Sequence, residues 1–156
     1  MRPGRAHMWT GAPCIPRCSA SVPGVRIVRT EAAPAPVAGA PYSQASAAAP
    51  GEIGFVSGQL GVDPTTGELI GDDVSEQTAL ALRHVAAILA EAGAGLGDVV
   101  KTTVYLADLA GDFPAMNEVY SHAFSGHAPA RATVGVAALP LGARVEIEAV
   151  AVVAEE

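Results

Sequence analysis

Several kinds of chemistry are closed to this chain by what it lacks. It has two cysteines, Cys14 and Cys18, both near the N-terminus. The remainder therefore carries neither a disulfide framework nor a cysteine metal site, a composition that suits a reducing cytoplasm. Lys101 is the only lysine, and the formal net charge is −7. A polyphosphate partner is poorly matched to that charge, so nucleic-acid binding is disfavoured. Aromatic residues make up 4% of the chain, which leaves Ala, Val, Leu and Ile to build the core. Gly, Pro or charge interrupts every apolar run before it reaches the roughly 20 residues of a membrane helix. No histidine pair has metal-ligand spacing with a third ligand, and Gly93-Ala94-Gly95 lacks the lysine and Ser/Thr of a phosphate loop. We expect no metal, no cofactor and no membrane segment.

What is present suggests one domain preceded by a tail. Residues 1–24 are rich in Pro and Gly, contain Arg2, Arg5 and Arg17 but no acid, and show no helical or strand period. They read as a disordered extension, with Cys14 and Cys18 as inert thiols. Pro3, Pro13 and Pro16 would break the amphipathic helix of a transit peptide. The change of composition at Val25 also fits an upstream misassignment of the start codon. The domain is then residues 25–156.

Residues 26–30 and 53–57 have strand-like lengths and are expected to open a sheet. From Asp73 to Ala92, Leu82, Val85, Ile88, Leu89 and Ala92 recur at helical spacing, with Asp73 as N-cap and Gly93 as terminator. Residues 99–106 alternate as a strand with two unlike faces. A second helix is predicted with Asp112 as its cap and Phe113, Met116, Tyr120 and Phe124 as its buried stripe. Residues 131–136 and 144–153 complete an α+β sheet with both helices on one face. Both sides of 145–153 carry apolar residues, so the face without helices is expected to be covered by other subunits.

Pro129-Ala130-Arg131-Ala132-Thr133-Val134, followed after a Pro/Gly turn by Val145-Glu146-Ile147-Glu148-Ala149, is expected to place an arginine and an acid on two adjacent strands. Arg131 offers a planar fork that can hold a carboxylate with two parallel hydrogen bonds. Glu146 or Glu148 could position water or move a proton beside it, and the alternation does not choose between them. An exposed ion pair within the sheet is the competing structural reading. Tyr42, in a Pro-Tyr-Ser-Gln loop, could close a pocket or simply fill the core. Asn117 lies off the apolar stripe of the second helix and could donate and accept across a cleft. Ser57 and Gly58 form either a close-approach loop or a strand-end bulge. His84 is read on the polar helix face, with His122 and His127 near the end of the second helix.

These segments, together with Ala40-Pro41-Tyr42-Ser43-Gln44-Ala45, Phe55-Val56-Ser57-Gly58-Gln59, Glu76-Gln77-Thr78 and Met116-Asn117-Glu118-Val119-Tyr120, resemble the RidA (YjgF/YER057c/UK114) family. The resemblance runs from about Val25 to the last strand. It implies a chorismate-mutase-like fold and a homotrimer with a site in each cleft between subunits. The implied activity is hydrolytic deamination of 2-aminoacrylate and 2-aminocrotonate, through their 2-imino tautomers, to 2-keto acids and ammonia. Arg131 would hold the substrate carboxylate, Glu146 would position water, and Tyr42 with the Thr133 backbone would orient substrate. Asn117, Ser57 and Gly58 match the family's site region. Many relatives carry cysteine where this chain has Thr133, so thiol chemistry is not expected. The competing functional class is a non-catalytic trimer that binds a small carboxylate or caps a client surface. RNA cleavage, associated with some similar proteins, fits the acidic charge least well.

Overall fold

The computed structural model describes residues 25–32, 35–36, 40–49 and 51–153. The N-terminal tail and its two cysteines lie outside the described residues. In chain order the elements are β1 (Val25–Val28), β2 (Ala45–Ala48), β3 (Glu52–Leu60), α1 (Val74–Glu91), β4 (Val99–Leu106), α2 (Leu109–Ala123), β5 (Ala130–Gly135) and β6 (Val145–Val153).

Helix α1 starts and stops where its sequence directs. The Asp73 carboxylate accepts from the backbone N–H groups of Ser75 and Glu76 at 2.7 and 3.2 Å, satisfying two donors that have no partner within the helix. Past its end, Gly93 adopts a φ of 75°, which lets the Ala94 N–H return to the Leu89 carbonyl. Leu82, Val85 and Leu89 are buried against the sheet, whereas Ile88 lies outward.

The main sheet has four strands in the order β3-β6-β4-β5. β4 and β5 run parallel, joined through α2, and the other pairs are antiparallel. The strands bearing Arg131 and Glu146 are thus not adjacent, because β4 lies between them. A parallel pair needs a crossover, and α2 supplies it; the short turn at Pro140–Gly142 then sends the chain past β5 to the far side of β4.

β1 was expected to join the main sheet but pairs instead with β2 in a separate two-stranded sheet. The Ala-Ser-Ala-Ala sequence of β2 contains no β-branched or aromatic residue and so gives no strand signal. A hydrogen bond from the Ser46 hydroxyl to the Val100 carbonyl ties β2 to β4.

Helix α2 begins a turn earlier than its sequence suggested. Asp108, not Asp112, is the N-cap, accepting from the Gly111 N–H at 3.0 Å. Asp112 is buried and is gripped by Arg144 through two hydrogen bonds, Nε to Oδ2 at 2.9 Å and Nη2 to Oδ1 at 2.6 Å. Met116, Tyr120 and Phe124 are buried as expected, but Phe113 is 36% exposed.

Burial alternates along β6: Val145, Ile147, Ala149 and Ala151 are buried, while the residues between them are half-buried. Register places Phe55 opposite Val150 and Ile53 opposite Val152 on the face without helices. Phe55 is 78% and Ile53 57% exposed, each forgoing part of the roughly 1.5–3 kcal/mol that full burial would give. No helix among the described residues is long and apolar enough to cross a membrane.

Candidate active site

Register decides where the candidate residues point. Arg131 pairs with Thr102, whose hydroxyl shares a 2.7 Å hydrogen bond with the Tyr120 phenol of α2, so both belong to the helix-covered face. Thr133, two residues further on, shares that face. Glu146 pairs with Tyr105, three residues along β4 from Thr102 and hence on the opposite face.

The helix-side group is built around the Arg131 guanidinium. Its central carbon lies 4.6 Å from the ring centroid of Tyr120, 5.6 Å from that of Tyr42 and 5.9 Å from that of Phe113. Aromatic faces favour a cation at these distances but leave its N–H groups in need of acceptors. Burial pushes the Arg131 pKa below its ordinary value, and the Tyr120 and Tyr42 phenols offset part of that shift. The group stays charged. Its Nη1 atom is buried without a partner, as are the Thr133 Oγ1 and Asn117 Oδ1 atoms. Asn117 lies four residues after Phe113 and three before Tyr120, on the helix face those two rings turn toward Arg131. Each unpaired buried atom costs roughly 1–3 kcal/mol, which a polar ligand bonded to all three would recover.

Tyr42 reaches this group because its loop lies along the free edge of β5. Ser43 forms an isolated parallel bridge with Ala130, and its hydroxyl donates to the Ala128 carbonyl at 2.7 Å. The resulting cleft, about 400 Å³, is lined by Tyr42, Ser43, Gln44, Lys101 and Arg131 among others. A neighbouring cavity of about 650 Å³ shares Tyr42, Ser43 and Gln44 and adds Arg29, Thr30 and Glu31.

The second group sits on the open face and toward the other sheet edge. β3 carries a bulge between Val56 and Gln59, where Ser57 and Gly58 fall. A Cβ at Gly58 would collide with the Glu146 carboxylate, so the missing side chain makes room for that acid. Ser57 is exposed, with its carbonyl accepting from the Gln59 amide at 3.0 Å. Within one chain, then, Arg131, Thr133, Asn117 and Tyr42 form one group, and Glu146, Gly58 and Ser57 another across the sheet.

Two of the histidines are tied to backbone carbonyls. His127 is buried with Nε2 2.6 Å from the Val99 carbonyl, and the His84 ring meets the Leu60 carbonyl at 3.2 Å rather than pointing into solvent. Burial lowers the His84 pKa. Among the described residues, no group of three or more His, Cys, Asp or Glu could hold a metal ion. Sequence reasoning assigned Tyr120 and Phe113 to the core and missed their stacking on Arg131. Their spacing around Asn117 was the available signal.

Two helices on one face of a mixed sheet, with a half-buried arginine in a cleft at the sheet edge, define a class of small α+β domains. A family model described as endoribonuclease L-PSP matches residues 30–153, and the chain belongs to that family, the RidA family whose motifs it carries. A RutC family protein of Pyrococcus abyssi is 50% identical over 125 residues, covering 80% of this chain and 94% of the relative. The human 2-iminobutanoate/2-iminopropanoate deaminase is 45% identical over 127 residues, covering 81% of this chain and 89% of its own. The crystal structure of Escherichia coli TdcF with bound serine is 41% identical, with a TM-score of 0.59 and coverage of 81% of this chain and 98% of that one.

Proposed function

We propose that the protein hydrolyses small 2-imino acids, reached from 2-enamino acids such as 2-aminoacrylate and 2-aminocrotonate, to 2-keto acids and ammonia. The observation that carries this reading is the set of three unpartnered buried atoms, Arg131 Nη1, Thr133 Oγ1 and Asn117 Oδ1, beside aromatic rings. A planar imino acid offers a carboxylate for the guanidinium and an N–H for an amide oxygen. The deaminase names of relatives and the serine held by TdcF support a ligand of this size.

Arg131 holds the carboxylate, Tyr42 orients the substrate from the loop side, and Thr133 and Asn117 fix its remaining polar atoms. Water held by Glu146 adds its oxygen to the imine carbon while the nitrogen takes up a proton. The C–N bond of the resulting carbinolamine breaks as its hydroxyl proton passes, through the Glu146 carboxylate, to the departing nitrogen, giving the keto acid and ammonia. Such imines already hydrolyse in water, so each tenfold gain in rate asks for only about 1.4 kcal/mol. Orientation and one carboxylate are enough, with no metal or covalent nucleophile.

Glu146 faces away from Arg131 in its own chain, so the working site takes Arg131 from one copy and Glu146 from another. We assign a homotrimer joined through the open face, whose exposed Phe55, Ile53 and Val134 need cover. RNA cleavage fits less well, given the charge of −7 and the binding of His84 and His127 to backbone carbonyls.

The test couples the purified protein to a threonine dehydratase, with semicarbazide trapping free imine. Wild type should divert the imine to 2-ketobutyrate, and Glu146→Gln should lose this activity by roughly 10²–10⁴-fold. Equal trapping with wild type and without protein would overturn deamination of this substrate. A fully active Glu146→Gln would overturn the role of that acid.

A further inference from the structure

Two adjacent threonines on β4 do different things. Thr103 is turned to the open face, where its hydroxyl accepts a hydrogen bond from the Lys101 ammonium at 3.2 Å. Thr102 points the other way, into the layer beneath α2, on the same side as the buried Val104 and Leu106. A hydroxyl in such surroundings is destabilising unless it is bonded. Here it shares a 2.7 Å hydrogen bond with the Tyr120 phenol, and both residues are buried. A valine and a phenylalanine would fill the same space, and replacing both partners of a buried hydrogen bond by apolar groups of like shape is nearly neutral. Packing alone therefore does not account for the pair, but its placement does. Register sets Thr102 directly opposite Arg131 on β5, and the Tyr120 ring centroid lies 4.6 Å from the central carbon of that guanidinium. The ring and the arginine are thus referenced to one cross-strand pair.

We propose that Thr102 is a positioning residue: by holding the Tyr120 phenol it fixes the ring on which the Arg131 guanidinium rests, and so sets the direction of the carboxylate-binding fork. An arginine held by acids uses its N–H donors on them. One held by rings keeps those donors, but a ring attracts a cation over a range of positions, so the cation is placed only as definitely as the ring. Phe124 backs the Tyr120 ring at a centroid distance of 4.5 Å, and the Thr102 hydrogen bond, being directional, fixes its phenolic end. Tyr42 and Phe113 lie further from the guanidinium, at 5.6 and 5.9 Å, one on a loop and the other half-exposed.

The proposal rests on the deaminase reading for its kinetic arm and is independent of it for its spectroscopic arm. Thr102→Val keeps the side-chain shape and leaves the phenol without its partner. In the coupled assay it should lower kcat/KM roughly three- to tenfold, the scale of one lost hydrogen bond. Thr102→Ser, which keeps the hydroxyl, should stay within about twofold of wild type. Thr102→Val/Tyr120→Phe should be no worse than Thr102→Val, because both changes break one bond, and losses that multiply would overturn the proposal. So would a Thr102→Val that melts at lower temperature but keeps its full kcat/KM, the behaviour of a threonine that only supports the core. Nuclear magnetic resonance of the ligand-free protein gives the second readout. The Arg131 Nε–H signal, assigned by its absence from Arg131→Ala, should be displaced by the Tyr120 ring, move toward the ordinary arginine position in Thr102→Val and stay in place in Thr102→Ser. A signal unmoved in Thr102→Val would overturn the proposal while leaving deamination intact, and a moved one would uphold it even if no imine were hydrolysed.

Discussion

Arg144 and Arg131 show two uses of one side chain in the same fold. Arg144, at the start of β6, is matched: its guanidinium grips Asp112 in a two-point ion pair, its Nη1 donates to the Asp72 carbonyl at 3.3 Å, and its backbone N–H donates to Gln77 Oε1 at 2.9 Å. Gln77 is fully buried and its amide in turn donates to the Gly71 carbonyl at 2.6 Å. The hydrogen bond and charge of Asp112 raise the Arg144 pKa above its ordinary value. Arg131 is unmatched: it has rings instead of carboxylates, an unpaired Nη1 and a lowered pKa. The first arginine ties α1, α2 and β6 together. The second leaves a buried donor unpaired, and the fold bears its cost.

The contrast is sharpest under substitution. Arg131→Ala should lower kcat/KM by roughly 10³-fold, as loss of a bidentate carboxylate contact implies, without lowering the thermal midpoint. Steady-state kinetics beside a melting curve tests both halves, and a marked loss of stability would break the comparison. Arg144→Ala should do the reverse, lowering the midpoint by roughly 5 °C because Asp112 is left buried and unpaired, with KM unchanged.

Tyr120 links the two regions to pH. Burial pushes its phenol up to about 12, so in the unfolded chain, with its ordinary value near 10, it ionises first. The stabilisation is complete below about pH 10 and is lost as pH rises toward 12, worth roughly 2–3 kcal/mol over that window. Urea melts of Tyr120→Phe should lack this alkaline slope. The smallest effect belongs to Thr133→Val, which replaces an unpaired hydroxyl with a methyl group. It should stabilise the protein by about 1 kcal/mol while raising KM several-fold. A destabilised variant would show that the hydroxyl is already satisfied.

Much of the scaffold could be read from sequence because it rests on local chemistry. Asp73 and Gly93 bound α1 by satisfying backbone groups within a few residues, and alternation located β4 and β6. The errors were of another kind. Asp112 resembles a cap until Arg144, remote in sequence, is found bonded to it. No periodicity reveals that β4 separates β5 from β6, since strand order depends on the crossover. Of the candidate site, the family motifs named Arg131, Thr133, Asn117 and Tyr42, which the structure gathers in one group. The split of Arg131 and Glu146 between faces was not legible, because it depends on how two strands register against a third.

That split has a consequence for inheritance. If every working site draws Arg131 from one copy and Glu146 from another, a chain lacking the arginine and a chain lacking the acid each fail alone but repair one another when assembled together. Random mixing of equal amounts would leave roughly a quarter of the sites with both intact residues. Two loss-of-function alleles of one gene would then complement within a single cell.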